Sequence, residues 1–327
     1  MTPVGLAALK SGILLFLLLT ACAYMTLLER RLLGKFQIRY GPNRVGPFGL
    51  LQPLADGIKL IFKEDFVPAR VDLVVYWLAP AISMVVALFV YAVIPFGPEI
   101  TIFGRRVPLS LADVNIGILV VLAASSVGVY GIILGGWSSN NKYSLLGSLR
   151  SSAQLISYEL ALGLAVIAVV ITAGSLSLVE IVKAQERVWF VALQPLGFVI
   201  FLIAAVAETN RAPFDLPEAE QELIAGYQTE YGGFKFAMFY IAEYIAIVTM
   251  SALATTLFWG GWQGPVLPPL VWFALKTFAF IFFFVWIRAT LPRVRHDQLM
   301  AFGWKVLVPL GLVNVVVTAL IVVLRQP

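Results

Sequence analysis

The segment 208–230 reads ETNRAPFDLPEAEQELIAGYQTE and concentrates carboxylates around a single base, Arg211. Asp215 and Glu218 stand three residues apart, as in a helix-capping box, so a structural role can account for these two acids. That role does not account for the others. We therefore predict that the segment docks a soluble partner or exchanges protons. Its six acids are Glu208, Asp215, Glu218, Glu220, Glu222 and Glu230.

Three further charged residues, Glu159, Glu243 and Lys276, lie inside apolar stretches, and Glu208 closes another such stretch. A charge that faces lipid is costly, so these side chains must face protein or water. Carboxylates in such positions are typical of proton relays. The alternative is structural pairing, for instance of Lys276 with one of the glutamates.

A short amphipathic helix is predicted over 48–63, FGLLQPLADGIKLIFK. Leu51, Leu54 and Ile58 recur at helical spacing, whereas Asp56 and Lys59 fall on the other side, which is typical of a helix at a membrane surface. It either anchors its loop or roofs a lateral opening for a lipid-like substrate.

Redox and metal centres are excluded for this chain on its own, because it has one cysteine, Cys22, and one histidine, His296. An iron–sulfur cluster needs about four thiolates, and a structural zinc site needs about four nitrogen or sulfur ligands. We expect Cys22 to be a packing residue and His296 to be solvated or ion-paired. Electrons for any redox role must come from another polypeptide.

These residues must be positioned by membrane helices. Of 327 residues, 60% are hydrophobic and 13% are charged, whereas a soluble domain is about 25% charged. The long apolar runs differ from the alternating strands of a β-barrel. We predict an all-α polytopic membrane protein. Its eight spans are 8–28, 73–95, 115–135, 153–173, 190–207, 236–258, 268–288 and 303–324.

The loops after spans 1, 3, 5 and 7 carry sixteen lysines and arginines, against six on the other side. The positive-inside rule places those four loops in the cytoplasm and both termini outside. Span 1 is interpreted as an uncleaved anchor because Glu29-Arg30-Arg31 follows it directly. We predict one helical domain over 1–327. Its cytoplasmic loops are 29–72, 136–152, 208–235 and 289–302.

Four loop motifs resemble a known family. GPNRVGPFGLLQPLADGIKLIFKED (41–65), GWSSNNKYSLLGSLRSSAQLISYE (136–159), AETNRAPFDLPEAEQELIAGYQTEY (207–231) and WIRATLPRVRHDQLMAFGWK (286–305) are similar to the H-type membrane subunit of bacterial NADH-quinone oxidoreductase, complex I. The mitochondrial counterpart is complex I subunit 1. The resemblance covers nearly the whole chain.

This resemblance implies a subunit of a proton-translocating NADH:quinone oxidoreductase that is not catalytic alone. It implies quinone as substrate, FMN and iron–sulfur clusters in partner subunits, and the bacterial inner membrane as location. The partners would be peripheral-arm subunits, which dock on the cytoplasmic loops, and small and antiporter-like membrane-arm subunits in the lipid bilayer. Nucleic acid is not expected as a partner.

Motif matching then assigns site residues. A proton relay would use Glu159, Glu208, Glu218, Glu220 and Glu243. Lys276 is a further candidate for the relay because of its position inside the membrane. The quinone cavity would be lined or supported by Arg30, Arg31, Asp56, Lys59, Glu222, Glu230 and Arg288.

Two positions depart from the family pattern. His296 stands where relatives often carry tyrosine, and Ser125-Ser126 stand where some relatives carry a glutamate, so a relay must bypass that point. Two other functions stay open: a homologous subunit of a hydrogenase-type or ferredoxin-linked complex, and a stand-alone ion transporter. The latter should show broken spans or inverted repeats, which the sequence lacks.

Overall fold

The computed structural model describes residues 3–102, 105–216 and 224–325, which are mostly helical. Strands β1 (Ile100–Ile102) and β2 (Arg105–Val107) pair as an antiparallel hairpin, with Ile100 opposite Val107. The helices up to the acidic segment are α1 (Pro3–Phe36), α2 (Gln52–Phe62), α3 (Leu73–Val90), α4 (Gly117–Ser138), α5 (Lys142–Ala173), α6 (Leu178–Ala184), α7 (Phe190–Leu193) and α8 (Pro195–Glu208). After it come α9 (Gly233–Phe258), α10 (Pro269–Thr290), α11 (His296–Phe302) and α12 (Val308–Arg325).

Seven helices in the described ranges are long and apolar enough to cross a membrane, which confirms the all-α polytopic class. They are Gly5–Phe36, Leu73–Val90, Gly117–Ser138, Lys142–Ala173, Gly233–Phe258, Pro269–Thr290 and His296–Leu324. The last of these runs through a π-helical turn, Gly303–Leu307.

The predicted span 190–207 is two helices rather than one, so the expectation that no span is broken is wrong. The backbone breaks at Gln194, and Pro195 then starts the 14-residue α8. Proline fits the first turn of a helix, where its missing N–H has no intrahelical acceptor. The buried Gln194 amide donates to the Ala168 carbonyl at 3.0 Å and to the Thr172 hydroxyl, so α5 provides partners for the break.

Several helices extend beyond the apolar runs that predict them. Helix α5 begins at Lys142 instead of 153, where the Asn141 side chain accepts from the Tyr143 amide at 2.9 Å. Helix α1 continues to Phe36 instead of ending at 28. Hydropathy marks the part of a helix in lipid, while caps decide where the helix itself starts and ends.

The amphipathic helix is confirmed as α2, and none of its residues is buried. Leu54, Ile58 and Phe62 are among the exposed hydrophobic side chains. The tight turn before α2 depends on Gly49, whose φ of 74° and close approach to the Pro42 carbonyl leave no room for a side chain.

Candidate functional site

The centre of the site is Glu29, a buried carboxylate near the end of α1. It accepts hydrogen bonds from the Tyr244 hydroxyl and from the Arg288 guanidinium, and the Arg211 Nη1 lies 3.4 Å from its Oε1. Three different segments of the chain therefore converge on one carboxylate. Such charge-assisted hydrogen bonds are stronger than neutral ones.

Arg211 also contacts a second carboxylate, since its Nε pairs with Glu243 Oε1. Its guanidinium lies over the Tyr244 ring, 4.5 Å from the ring centroid. The side chains of Glu29, Arg211 and Glu243 are 5%, 7% and 10% exposed, so solvent screens these pairs weakly. We call Glu29, Arg211 and Glu243 the arginine bridge.

The charge on Arg211 is fixed by these neighbours. Burial lowers the pKa of the guanidinium, but Glu243 and Glu29 raise it by more, so the pKa stays well above its ordinary value. With the partly exposed Arg288 included, two acids face two bases, and the group is neutral as a whole. Charges tolerate burial when they are paired in this way.

The loop that carries Arg211 is held in place by α5. Gln154, which is fully buried, donates from Nε2 to the carbonyls of Ala207 at 2.8 Å and Phe214 at 2.9 Å. The Tyr158 ring packs on Phe214, and its hydroxyl donates to the Leu299 carbonyl at 3.0 Å. One helix therefore fixes both ends of the turn around Arg211.

A cavity of about 120 Å³ adjoins the arginine bridge, and both Glu243 and Glu208 line it. By the same volume measure, one water needs roughly 10–15 Å³, so the cavity has room for several waters. Its walls are mostly apolar, with Ser125, Asn210 and Thr249 among the polar exceptions. It can hold a short chain of waters between two acids.

Glu208 is the least satisfied acid of this cavity. Its Oε2 is buried and has no hydrogen-bond partner among the described residues. Glu159 is close enough to repel its charge, and Glu159 in turn accepts a hydrogen bond from the Ser126 hydroxyl. The two serines that were expected to interrupt a relay therefore contact its candidate residues, because Ser126 binds Glu159 and Ser125 lines the cavity.

Lys276 occupies a different environment from these glutamates. Its ammonium donates to the carbonyls of Trp259 at 2.5 Å, Gly261 at 3.1 Å and Gln263 at 2.7 Å. The Trp189 ring lies 4.3 Å from Nζ. The suggested pairing of Lys276 with a glutamate is therefore wrong, because its three protons are accepted by the carbonyl of Trp259 at the end of α9 and by the Gly261 and Gln263 carbonyls of the loop that follows.

The predicted quinone residues fall into separate groups. Arg288 joins the buried cluster, whereas Arg30 and Asp56 form a partly exposed pair at 2.6 Å that connects α1 to α2. Lys59 is exposed on α2 and Arg31 is half-buried. The cavity beside Glu208 and Glu243 is not lined by any of Arg30, Arg31, Asp56 and Lys59.

Glu230 lies in a second, open hollow of about 620 Å³ together with Arg70 and Lys142. Its Oε1 accepts from the Asn141 amide at 2.6 Å. Glu218, Glu220 and Glu222 lie outside the described residues, as does the Glu218 half of the expected capping box. Their roles stay predictions.

Sequence reasoning missed Glu29 and Tyr244 and treated Arg211 only as a lone base. A signal for Glu29 exists in α1, where Leu18, Cys22 and Met25 precede it at spacings of four, three and four residues and are all buried. These spacings keep to one face of a helix. Glu29 therefore continues the core-facing stripe and points inward despite its charge.

Cys22 is buried, as expected for a packing residue. Within the described ranges, no three His, Cys, Asp or Glu side chains gather as a metal site requires. His296 starts α11 with its Nδ1 buried.

Comparison with known proteins gives a consistent result. Residues 9–319 match the family model described as NADH dehydrogenase. The chain is 58% identical to an H-type NADH-quinone oxidoreductase subunit of Geobacter metallireducens, over 99% of this chain and 100% of that protein. It is 59% identical to an H-type subunit of the same enzyme from Geobacter sulfurreducens over 94% of both chains, and 58% identical to that of Protochlamydia amoebophila over 92% of both.

Proposed function

Because this chain belongs to the NADH dehydrogenase family, as a membrane subunit of an NADH:quinone oxidoreductase, we propose that it couples quinone reduction to proton movement through the arginine bridge. The single observation that supports this proposal is the position of Arg211 between two buried carboxylates. One cation shared by two acids can respond to a change of charge at either of them.

The coupling step follows from electrostatics. A quinone that is reduced near Glu29 and Arg288 gains negative charge before it takes up protons. That charge attracts Arg211 toward Glu29 and away from Glu243. Glu243 then loses the partner that stabilises its anion and takes up a proton. Arg211 itself stays charged throughout, so its displacement, and not its titration, transmits the signal.

The proton path continues from Glu243 through the cavity. Waters there connect Glu243 to Glu208, and Glu208 lies close to Glu159, which the Ser126 hydroxyl orients. Glu218 and Glu220 extend the relay toward the membrane-arm partners in this proposal. Lys276 is left out of the path, because its three donors are engaged by carbonyls.

The quinone reaches the site from the bilayer along the side of α1 and α2, where Arg30 and Asp56 lie. The remaining residues of the predicted quinone cavity support the substrate or the docking surface around it. They are Arg31, Lys59, Glu222, Glu230 and Arg288. FMN and the iron–sulfur clusters belong to partner subunits, which bind the basic loops. Those loops face the cytoplasm and both termini face the periplasm, in agreement with the positive-inside rule.

Substitution of the relay acids in the assembled complex tests this function. We expect Glu243→Gln and Glu208→Gln, and Glu220→Gln beside them, to lower both NADH:quinone turnover and protons moved per electron in membrane vesicles. Glu180→Gln is the control, since Glu180 forms an exposed pair with Lys183. Unchanged turnover and proton stoichiometry in the relay variants would contradict the proposal.

The electron donor needs a separate test. Purification of the chain with its partners in mild detergent should yield flavin, iron–sulfur clusters and inhibitor-sensitive NADH:quinone reduction. Recovery with hydrogenase activity and without NADH oxidation would instead assign the chain to a hydrogenase-type complex.

A further inference from the structure

Besides Arg211 and Lys276, a third buried cation lies at the start of α9. Lys235 is fully buried, and its Nζ lies 2.8 Å from Asp65 Oδ1. The rings of Tyr76 and Trp77 flank the ammonium, with centroids 4.7 Å and 4.3 Å away. We call Lys235, Asp65, Tyr76 and Trp77 the Lys235 site.

The Lys235 site joins three segments that are distant in sequence. Lys235 belongs to the first turn of α9, and the two rings lie near the start of α3. Asp65 belongs to the irregular connection between α2 and α3. Tyr76 is itself fixed, since it stacks on Tyr231 at 4.3 Å and donates from its hydroxyl to the Glu230 carbonyl at 2.6 Å.

The charges of this site are placed asymmetrically. The lysine side chain is 1% exposed, while that of Asp65 is 42% exposed. A buried ammonium is costly unless it is paired or lies against aromatic faces. The largely exposed carboxylate of Asp65 does not need Lys235, because water can solvate it in other positions of its loop. The ion pair therefore pulls the α2–α3 connection toward the bundle, and does not pull the Lys235 side chain toward the surface.

The connection that Asp65 occupies begins where α2 ends. Helix α2 contains no buried residue, and the ion pair that joins it to α1, Arg30–Asp56, is partly exposed. Exposed pairs contribute little to holding a segment in place. The buried cation of the Lys235 site is therefore the stronger electrostatic restraint on the position of α2.

We propose that the Lys235–Asp65 pair is a positioning element that sets the height and angle of α2 beside the bundle, and so controls how the isoprenoid tail of quinone passes. This inference rests on the proposed function. A tail contacts the side of the bundle along its length, whereas the headgroup reacts near Glu29. Displacement of α2 therefore changes access for long-tailed quinones and leaves the chemistry at the headgroup intact.

The test uses Lys235→Met and Asp65→Asn in the whole complex, in lipid vesicles, with two quinones that share a headgroup and differ in tail length. We expect KM for the long-tailed quinone to rise by about three- to tenfold with kcat retained, which indicates lost binding rather than lost chemistry. KM for the short-tailed quinone should stay at the wild-type value. Lys63→Met, which removes an exposed lysine at the end of α2, is the matched control.

Each outcome has a distinct meaning. Equal changes for both quinones, or none for either, would overturn the positioning role. If Lys235→Met fails to assemble, Asp65→Asn decides the question, because Asp65 is largely at the surface. Failure of the proposed function is separately visible, since Glu243→Gln and Glu208→Gln would then leave turnover and protons per electron at wild-type values in the same vesicles, whatever KM the Lys235 and Asp65 variants show.

Discussion

The hydroxyl of Tyr244 on α9 donates a hydrogen bond to the carboxylate of Glu29 on α1. This contact joins two helices through the group that also receives Arg211 and Arg288. The tyrosine ring simultaneously lies beneath the Arg211 guanidinium. Tyr244 therefore contacts both the cation and the anion of one ion pair.

We expect Tyr244→Phe to retain the ring and remove the hydrogen bond. Loss of a hydrogen bond to a charged group costs about 1.5–3 kcal/mol, so thermal unfolding of the purified complex should occur at a lower temperature. Quinone reductase activity should fall with it, because Glu29 is less well fixed. Tyr240→Phe is the control, since the Tyr240 hydroxyl contacts Tyr244 at 3.0 Å instead of Glu29. Equal effects of the two variants would contradict this assignment.

Arg211→Met should destabilise the protein far more than Tyr244→Phe does, because the buried carboxylates of Glu29 and Glu243 lose a positive charge that pairs with them. Removal of one partner from a buried ion pair costs about 3–5 kcal/mol. We expect little assembled complex on native gels. Addition of Glu243→Gln should restore part of the assembly, since one of the uncompensated charges is then removed.

The contrast is Arg295→Met, which breaks an exposed pair with Asp297. It should leave the amount of assembled complex unchanged. If Arg211→Met assembles as well as Arg295→Met does, the arginine bridge does not stabilise the fold.

Ser126→Ala tests the hydroxyl that donates a hydrogen bond to Glu159. Without the hydrogen bond to Glu159, proton transfer through the cavity should slow, and turnover should fall by a few-fold while the complex assembles normally. Ser126→Thr keeps the hydroxyl and should retain most of the activity. Turnover coupled to proton uptake in vesicles measures both, and equal activity of the two variants would exclude Ser126 from the relay.

Lys276→Met separates a structural role from a relay role. Three carbonyls, of Trp259 at the end of α9 and of Gly261 and Gln263 in the loop after it, lose their donor. Each buried unsatisfied group costs about 1–3 kcal/mol, so heat stability should fall. The number of protons moved per electron should stay at the wild-type value in complexes that do assemble. A changed proton stoichiometry at normal stability would return Lys276 to the relay.

The sequence predicts the helices well because their signal is hydropathy, which is local and strong. The break at Gln194 was not predicted, since residues 190–207 carry no charge and only the Gln194-Pro195 pair interrupts their apolar run. Glu159, Glu208 and Glu243 were recognisable as unusual because a charge within an apolar run is rare.

The contacts that charged side chains make with residues of other helices could not be predicted from the sequence. Nothing local to Arg211 indicates that it lies between Glu29 and Glu243, which are 182 and 32 residues away in the chain. Pairing of Lys276 with a carboxylate was the alternative because a buried ammonium needs acceptors, yet backbone carbonyls at and after the end of α9 accept its protons instead. Only the packing of α9 against α10 decides between these acceptors.

The brevity of α8 also affects how the membrane voltage acts. Fourteen residues rise about 21 Å, while the hydrocarbon layer is about 30 Å thick. Helix α8 alone therefore does not cross that layer, so at least one of its two polar ends, Gln194 or Glu208, lies inside the layer, where part of the membrane voltage falls. A full crossing exchanges about 2.3 kcal/mol per charge at 100 mV. A proton that binds Glu208 exchanges the fraction of that work set by the depth of Glu208 in the layer.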